Sequence, residues 1–426
     1  MGTEAAKSPL LEGRSSRGAT AAQTLGNIVV SIVGTGVLGL PFAFRTSGWL
    51  AGALGVSAAG AATFYCMLLL LDCRDKLREE EEDGDEHDGN YTYGDLGEKC
   101  FGAMGRFLTE LTIILSQTGG SVAYLVFIGQ NISSVFPSSA AADDHPRRRI
   151  SPASVVLAVL LPAEAALSFI RTLSSLAPFS ILADACTVLA VAAVVKDDII
   201  QLLLLAAGGG DGGRSAFAGI WGVPFACGVA VFCFEGFCLT LALEASMAER
   251  RMFRPVLLRA IAGVTAVYVC FGVCGYLAYG DDTRDIVTLN LPNNWSTTAI
   301  KIALCIALAL TFPMMMHPIH EIVEARLFRP PRLRGGVERA AAQASRVAVV
   351  GAVAAVACFV PAFGAFASFV GSTVCALLSF VLPALFHLRL VGAAASAWRR
   401  AVDGGFLLLG LAFAAHGVYT VVVSWF

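Results

Sequence analysis

Apolar stretches alternate with short polar joints along the whole chain after about residue 22. A helix needs about 20 apolar residues to cross the hydrocarbon core of a bilayer. The pattern therefore predicts eleven spans, over 22–44, 49–72, 104–132, 151–170, 173–196, 218–243, 255–279, 297–324, 343–361, 363–387 and 403–425. Residues 1–21 are polar and predict a disordered cytosolic N-terminus with no signal peptide, followed by one transmembrane domain over 22–425.

Two of the runs are interrupted near their middles. The first, Gly26 to Phe44, reads GNIVVSIVGTGVLGLPFAF, with Gly34, Thr35 and Gly36 at its centre and Gly39 and Pro41 behind them. Glycine weakens a helix and proline removes a backbone donor. Backbone freed at mid-membrane is tolerated only against protein, ligand or water, so a binding site competes here with simple close packing through small residues. The sixth run, Trp221 to Met247, carries Phe234-Glu235-Gly236 near its middle, and a carboxylate there is costly. The breaks lie five spans apart, an odd number, so the second set of helices is inverted relative to the first. The reading is an all-α polytopic membrane protein of two inverted five-helix repeats, 22–196 and 218–387, with an eleventh helix appended at 403–425.

Paired breaks favour the binding site. A half-helix starting after Gly36 presents free N–H groups and a positive dipole end, which suits a carboxylate. Unwound carbonyls near Val33, Phe234 and Glu235 suit an ammonium, and a site taking both describes an amino acid. Phe232, Phe234 and Phe237 are candidates for an apolar side-chain pocket or for plain helix packing. On the third span, Gln117, Ser121 and Tyr124 share one helix face beside Gly120, as substrate contacts or as interhelical hydrogen bonds. On the eighth, Thr311 is a candidate contact for substrate or ion. The HPIHE run at His317 to Glu321 lacks the H-E-x-x-H spacing, Pro318 is expected to interrupt its helix, and no metal is expected.

Composition narrows the classes. Only 15% of residues are charged and 56% are hydrophobic, against about 25% charged in soluble domains. No basic block interleaves with aromatics, so nucleic acid is excluded as a partner, and the bilayer is the expected surroundings. Of the 30 Lys and Arg, 22 fall on the side that holds the N-terminus and 8 on the other, which predicts a cytosolic N-terminus and a non-cytosolic C-terminus. Asn131-Ile132-Ser133 and Asn294-Trp295-Ser296 lie on the non-cytosolic side as glycosylation sequons, the first close to the membrane. Glu79 to Asp88 predicts a solvated acidic loop, and Gly208 to Gly213 a flexible joint. Most of the 12 cysteines sit inside apolar runs as small fillers.

Coupling needs a group that titrates inside the membrane. Asp184, central in the fifth span with no basic neighbour, and Glu235 are the proton-coupling candidates, since a carboxylate in low dielectric tends to keep its proton. Glu110 and Glu164 lie nearer span ends, where arginines can pair with them, and rank lower. No cluster of hydroxyls and carbonyls specifies sodium, so the expected coupling ion is the proton and no cofactor is expected.

Three stretches resemble the amino acid/auxin permease family: GNIVVSIVGTGVLGLPFAFRTSGW from Gly26 to Trp49, RTLSSLAPFSILAD from Arg171 to Asp184, and VAVFCFEGFCLTLALE from Val229 to Glu244. Within it the chain looks most like the plant aromatic and neutral amino acid transporters, relatives of vacuolar amino acid transporters. Ala242 stands where some vacuolar members have proline. The resemblance implies eleven helices in the broken-helix, inverted-repeat fold and proton-coupled amino acid transport, in the vacuolar or plasma membrane. It also implies that Gly34, Thr35, Gly36, Phe234, Glu235 and Gly236 line the substrate. The expected function is secondary active transport of neutral and aromatic amino acids. The rivals are a carrier of the auxin indole-3-acetate and an amino-acid-sensing receptor with little flux. A membrane enzyme is disfavoured, and the oligomeric state is left open.

Overall fold

A computed structural model describes residues 18–82, 91–136, 151–169, 173–208, 214–292, 294–327 and 336–425. Among these the secondary structure is helical, apart from one isolated bridge between Ala19 and Met247. The helices are α1 (Ala21–Ile32), α2 (Leu40–Ser47), α3 (Trp49–Glu82), α4 (Tyr93–Val135), α5 (Pro152–Leu167), α6 (Leu173–Gly208), α7 (Gly222–Cys233), α8 (Phe237–Ser246), α9 (Phe253–Tyr279), α10 (Trp295–Leu327), α11 (Gly336–Phe359), α12 (Phe363–Leu390) and α13 (Ala397–Trp425). Eight helices among the described residues are long and apolar enough to cross a membrane, or nine if the bent pair α1–α2 is one span. Helices α5 and α6 stand over the fourth and fifth predicted spans.

Local chemistry sets the ends. Thr20 and Gln23 form a reciprocal capping box at the start of α1, which satisfies two of the donors a helix N-terminus leaves open. Ser151 caps α5 ahead of Pro152, whose missing N–H is no loss in a first turn. Gly48 separates α2 from α3 with φ 93°, in the left-handed region that favours glycine. A Cβ there would also lie 2.5 Å from the Ala216 carbonyl oxygen. The chain entering α7 thus lies against this turn, and the N–H groups of Trp49 and Leu50 donate to the Ser215 and Ala216 carbonyls at 3.2 and 3.1 Å. Within α4, Phe101 and Gly102 leave helical geometry, Gly102 with φ 66°, so the helix bends ahead of its apolar part.

Three sequence expectations change. Helix α10 continues through Pro313 and Pro318 rather than stopping at Pro318. An internal proline removes one helical hydrogen bond, and packing of the buried Phe312, Met316, Ile319 and His320 holds the rest. The acidic run is partly helical, because α3 extends to Glu82 and Lys76 pairs with Glu79 and Glu80 at 3.9 and 3.7 Å. Asn131 is fully buried, donating to the Phe127 carbonyl at 3.0 Å and accepting from Thr288 at 2.7 Å, so its side chain is engaged rather than open to a glycan. The remaining acidic residues Asp83 to Asp88 and the joint at 209–213 lie outside the described residues.

The chain divides into two compact units. The first comprises the chain up to Ser116, Ser215–Val273 and Ala367 onwards. Its packing depends on close approach. The buried Phe44 ring sits between Gly52 of α3 and Gly272 of α9, where an added Cβ would come within 2.7 Å of it. Gly371 of α12 leaves room for the Gly228 carbonyl of α7, only 1.9 Å from where a Cβ would be. Helix α13 is held by its second turn: buried Asp403 accepts from Tyr65 at 2.8 Å and meets His387 Nδ1 at 2.7 Å. The apolar stretch of α13 is only 11% buried, so most of its surface is left to face lipid. The second unit comprises Gln117–Arg214 and Cys274–Phe366. There α6 packs along α10, Phe127 meets Phe363 edge to face at 6.1 Å, and Asp285 accepts from the N–H of Phe363 at 2.9 Å.

Candidate functional site

The two interrupted spans lie side by side in the first unit. Helix α1 stops at Ile32, Val33 and Gly34 are extended, and a tight turn over Thr35–Gly39 leads into α2 at an angle of 50° to α1. Helix α7 stops at Cys233, and Phe234, Glu235 and Gly236 pass the chain to α8 without helical geometry. The breaks fit into each other. A Cβ on Gly36 would lie 2.8 Å from Cys233 Sγ and 3.2 Å from Cys233 Cα, and a Cβ on Gly236 would lie 3.0 Å from Ile32 Cγ1. Each glycine therefore opposes the last helical residue before the other break. At the ends, a Cβ on Gly222 would meet the Thr46 carbonyl, and Ala19 pairs with Ser246 and Ala248 at 2.9 and 3.0 Å. The two broken spans are thus antiparallel along their whole length.

A broken helix leaves carbonyls and N–H groups without partners. One side chain serves both breaks: the fully buried Tyr268 hydroxyl of α9 is shared between the carbonyls of Ile32 and Cys233, at 3.1 Å from each. Its ring packs against Phe234 at 5.2 Å. Glu235 is half-buried and accepts a hydrogen bond from Ser116 of α4, whose hydroxyl also lies 3.5 Å from Cys375 Sγ of α12. Thr35 is 3% exposed, and its hydroxyl has no hydrogen-bond partner among the described residues. The far end of α8 is fixed by an ion pair between buried Glu244 and Arg74 of α3, and Arg74 also bonds Asp75 at 2.6 Å.

The first unit therefore gathers Val33, Gly34, Thr35, Gly36, Phe234, Glu235 and Gly236 around one pair of breaks. The phenyl ring of Phe234 points towards Tyr268 and towards Gly60 of α3, where an added Cβ would come within 3.1 Å of it. Only the Phe234 backbone belongs to the break, then, and its ring belongs to the packing around it. Gln117, Tyr124 and Thr311 belong to the second unit. Gln117 is half-buried and Tyr124 buried on α4, with Ser121 fully buried between them. Thr311 donates to the Ala307 carbonyl of its own helix at 2.9 Å. The backbone of Asp184 lies in α6, but its side chain falls outside the described residues. Sequence reasoning missed Tyr268, Ser116 and the Arg74–Glu244 pair. The only signal was a polar group inside an apolar run, and many such groups are ordinary.

This arrangement brings two helix breaks together, and helix ends are where backbone groups of both signs lose their helical partners. Comparison with known proteins agrees with its chemistry. The sequence model described as "Transmembrane amino acid transporter protein" matches residues 17–423. The chain is 52% identical to the amino acid transporter ANT1 of Arabidopsis thaliana, over 98% of this chain and 96% of that one. It is 38% identical to the amino acid transporter AVT3B of the same plant, over 95% and 93%. Among solved structures, that of MhsT in complex with L-phenylalanine superposes with a TM-score of 0.55 at 13% identity, covering 94% of this chain and all of the other, a likeness of fold. This multi-pass membrane chain belongs to the transmembrane amino acid transporter, or amino acid/auxin permease, family, a family of transporters and not of enzymes.

Proposed function

We propose that this chain is a secondary active transporter that moves neutral amino acids, aromatic ones included, together with protons by alternating access. The observation that carries the reading is the mutual fit of the two breaks, Gly36 against Cys233 and Gly236 against Ile32. It brings the ends of four half-helices to one place, where helix termini leave backbone donors and acceptors short of helical partners. The substrate carboxylate binds the N–H groups opening the Thr35–Gly39 turn, with the Thr35 hydroxyl beside them, and the ammonium binds the carbonyls of Val33, Phe234 and Glu235. The proton travels on Asp184 or Glu235. The framework is eleven spans in two inverted repeats of five, 22–196 and 218–387, with 403–425 appended. The antiparallel course of the broken spans and the helices at the fourth and fifth positions support it. The N-terminus is cytosolic, and the membrane is vacuolar or plasma membrane.

The test is uptake of labelled phenylalanine and alanine into proteoliposomes with and without an imposed pH gradient. Accumulation driven by the gradient and competed by unlabelled neutral amino acids is expected. Asp184→Asn and Glu235→Gln then identify the carrier of the proton, since the responsible variant loses the gradient response. Accumulation indifferent to the gradient, or competition by indole-3-acetate but not by amino acids, contradicts the proposal.

A further inference from the structure

The second unit contains a buried acid that the transport site does not use. Val156, Leu160, Glu164 and Ser168 recur every four residues as the buried face of α5, at 1%, 4%, 1% and 6% exposure. Glu164 is the one charged residue on that face. Both its carboxyl oxygens are buried, and neither has a hydrogen-bond partner among the described residues. It lines a small cavity of about 10 Å³ together with Ser168, Met316, His317, His320 and Arg346. A cavity of that size holds one water, on the usual need of about 10–15 Å³. His320, 5% exposed, also lacks a partner for Nε2.

The arginine expected to neutralise such an acid is committed elsewhere. Arg346 of α11 bonds Glu324 through Nε at 2.6 Å and donates from Nη1 to the Ser168 carbonyl at 3.2 Å. Among the described residues the other charged or titratable groups around Glu164 are few. Helix α10 brings His317, His320, Glu321 and Glu324, and α11 brings Arg346. Helix α4 reaches the far end of α5 at Gly129, and between Gln117 and Val135 it has no carboxylate, histidine, lysine or arginine.

The geometry points to a proton-binding site formed by Glu164 and His320, bridged by a single water. A proton delivered from the aqueous phase bonds to a Glu164 oxygen and leaves as hydronium by the same route, or passes through the water to His320 Nε2, with no other group changed. As the seat of a transported proton the site rests on the proton-coupled reading above and takes the place of Asp184 or Glu235 as the carrier. As a proton-binding site it stands without it.

Infrared difference spectroscopy of the purified full chain, titrated with acid and base, tests the site directly. The carboxylic-acid C=O band is expected to lose a component in Glu164→Gln, and the midpoint of that component is expected to move by about one pH unit in His320→Gln. In proteoliposomes Glu164→Gln is expected to flatten the pH response of uptake, about tenfold per unit for one proton, to under about twofold, with substrate counterflow retained. A spectrum unchanged by Glu164→Gln overturns the site. So does a titration unmoved by His320→Gln, which decides the matter alone if the Glu164 variant does not fold. A changed spectrum with an unaltered pH response of uptake leaves the pair binding a proton but removes it from transport. If the wild type lacks gradient-driven uptake but shows the titrating band, the coupled-transport reading fails and the site stands.

Discussion

Gly36 and Gly236 act through what they lack. Their φ angles are not the reason, because neither lies in the left-handed region that favours glycine. The reason is approach, since a Cβ at Gly36 would collide with Cys233 and one at Gly236 would crowd the Ile32 side chain. Tyr268 then supplies the donor that the Ile32 and Cys233 carbonyls lose when their helices stop. Tyr268→Phe keeps the ring against Phe234 and removes only the hydroxyl. It leaves two buried carbonyls a donor short, which costs about 1–3 kcal/mol. The thermal midpoint of the purified protein is expected to fall by several degrees and its apparent affinity for phenylalanine to weaken. A variant that melts and binds as the wild type does means that the carbonyls find water without help. At this scale the sequence was half legible. Glycines and a carboxylate in an apolar run announce the breaks, whereas Tyr268 lies 236 positions from Ile32 in the chain and leaves no local pattern.

Among the elements, the half-helices are held at their outer ends as well as at their breaks. Helix α8 ends on Glu244, paired with Arg74 of α3, and the strand-like pairing of Ala19 with Met247 ties the start of α1 to the same place. The side chains of Glu244 and Arg74 are 2% and 7% exposed, so the pair is well shielded. Removing one partner of a buried pair costs about 3–5 kcal/mol, and replacing both with apolar residues often costs little. Arg74→Met is therefore expected to destabilise strongly, and Arg74→Met with Glu244→Met to regain most of the loss, in thermal denaturation of detergent-purified protein. Asp75 is not orphaned by the change, because Arg254 still bonds it at 2.8 Å. Equal destabilisation in the single and double variants means that Arg74 acts through other contacts. Element positions were largely readable, because about twenty apolar residues in a row have few other uses. Element ends were less so. Pro318 reads as a stop in isolation, but buried neighbours on both sides carry α10 through it, and the charge of Glu79 to Glu82 does not prevent an already formed α3 from continuing.

For the molecule as a whole, inversion between repeats is an expectation drawn from an odd number of intervening spans, and the structure shows the two broken helices antiparallel within the first unit. The internal wiring of the first unit was not legible, since it depends on pairs distant in sequence, such as Tyr65 with Asp403 across 338 positions. Glu164 shows the same limit from the other side. Sequence ranks it low because arginines near span ends can pair with it, and the arginine that the structure places in its cavity, Arg346, bonds Glu324 instead. The central claim is that the facing breaks bind an amino acid. Equilibrium binding of labelled phenylalanine to the purified chain, in wild type and in Gly36→Val, tests it most directly. The account predicts saturable binding to wild type, competed by unlabelled neutral amino acids, and at least about a tenfold loss in a Gly36→Val variant of wild-type helical content, as an overpacked contact of this kind implies. Undiminished binding in that variant would contradict it.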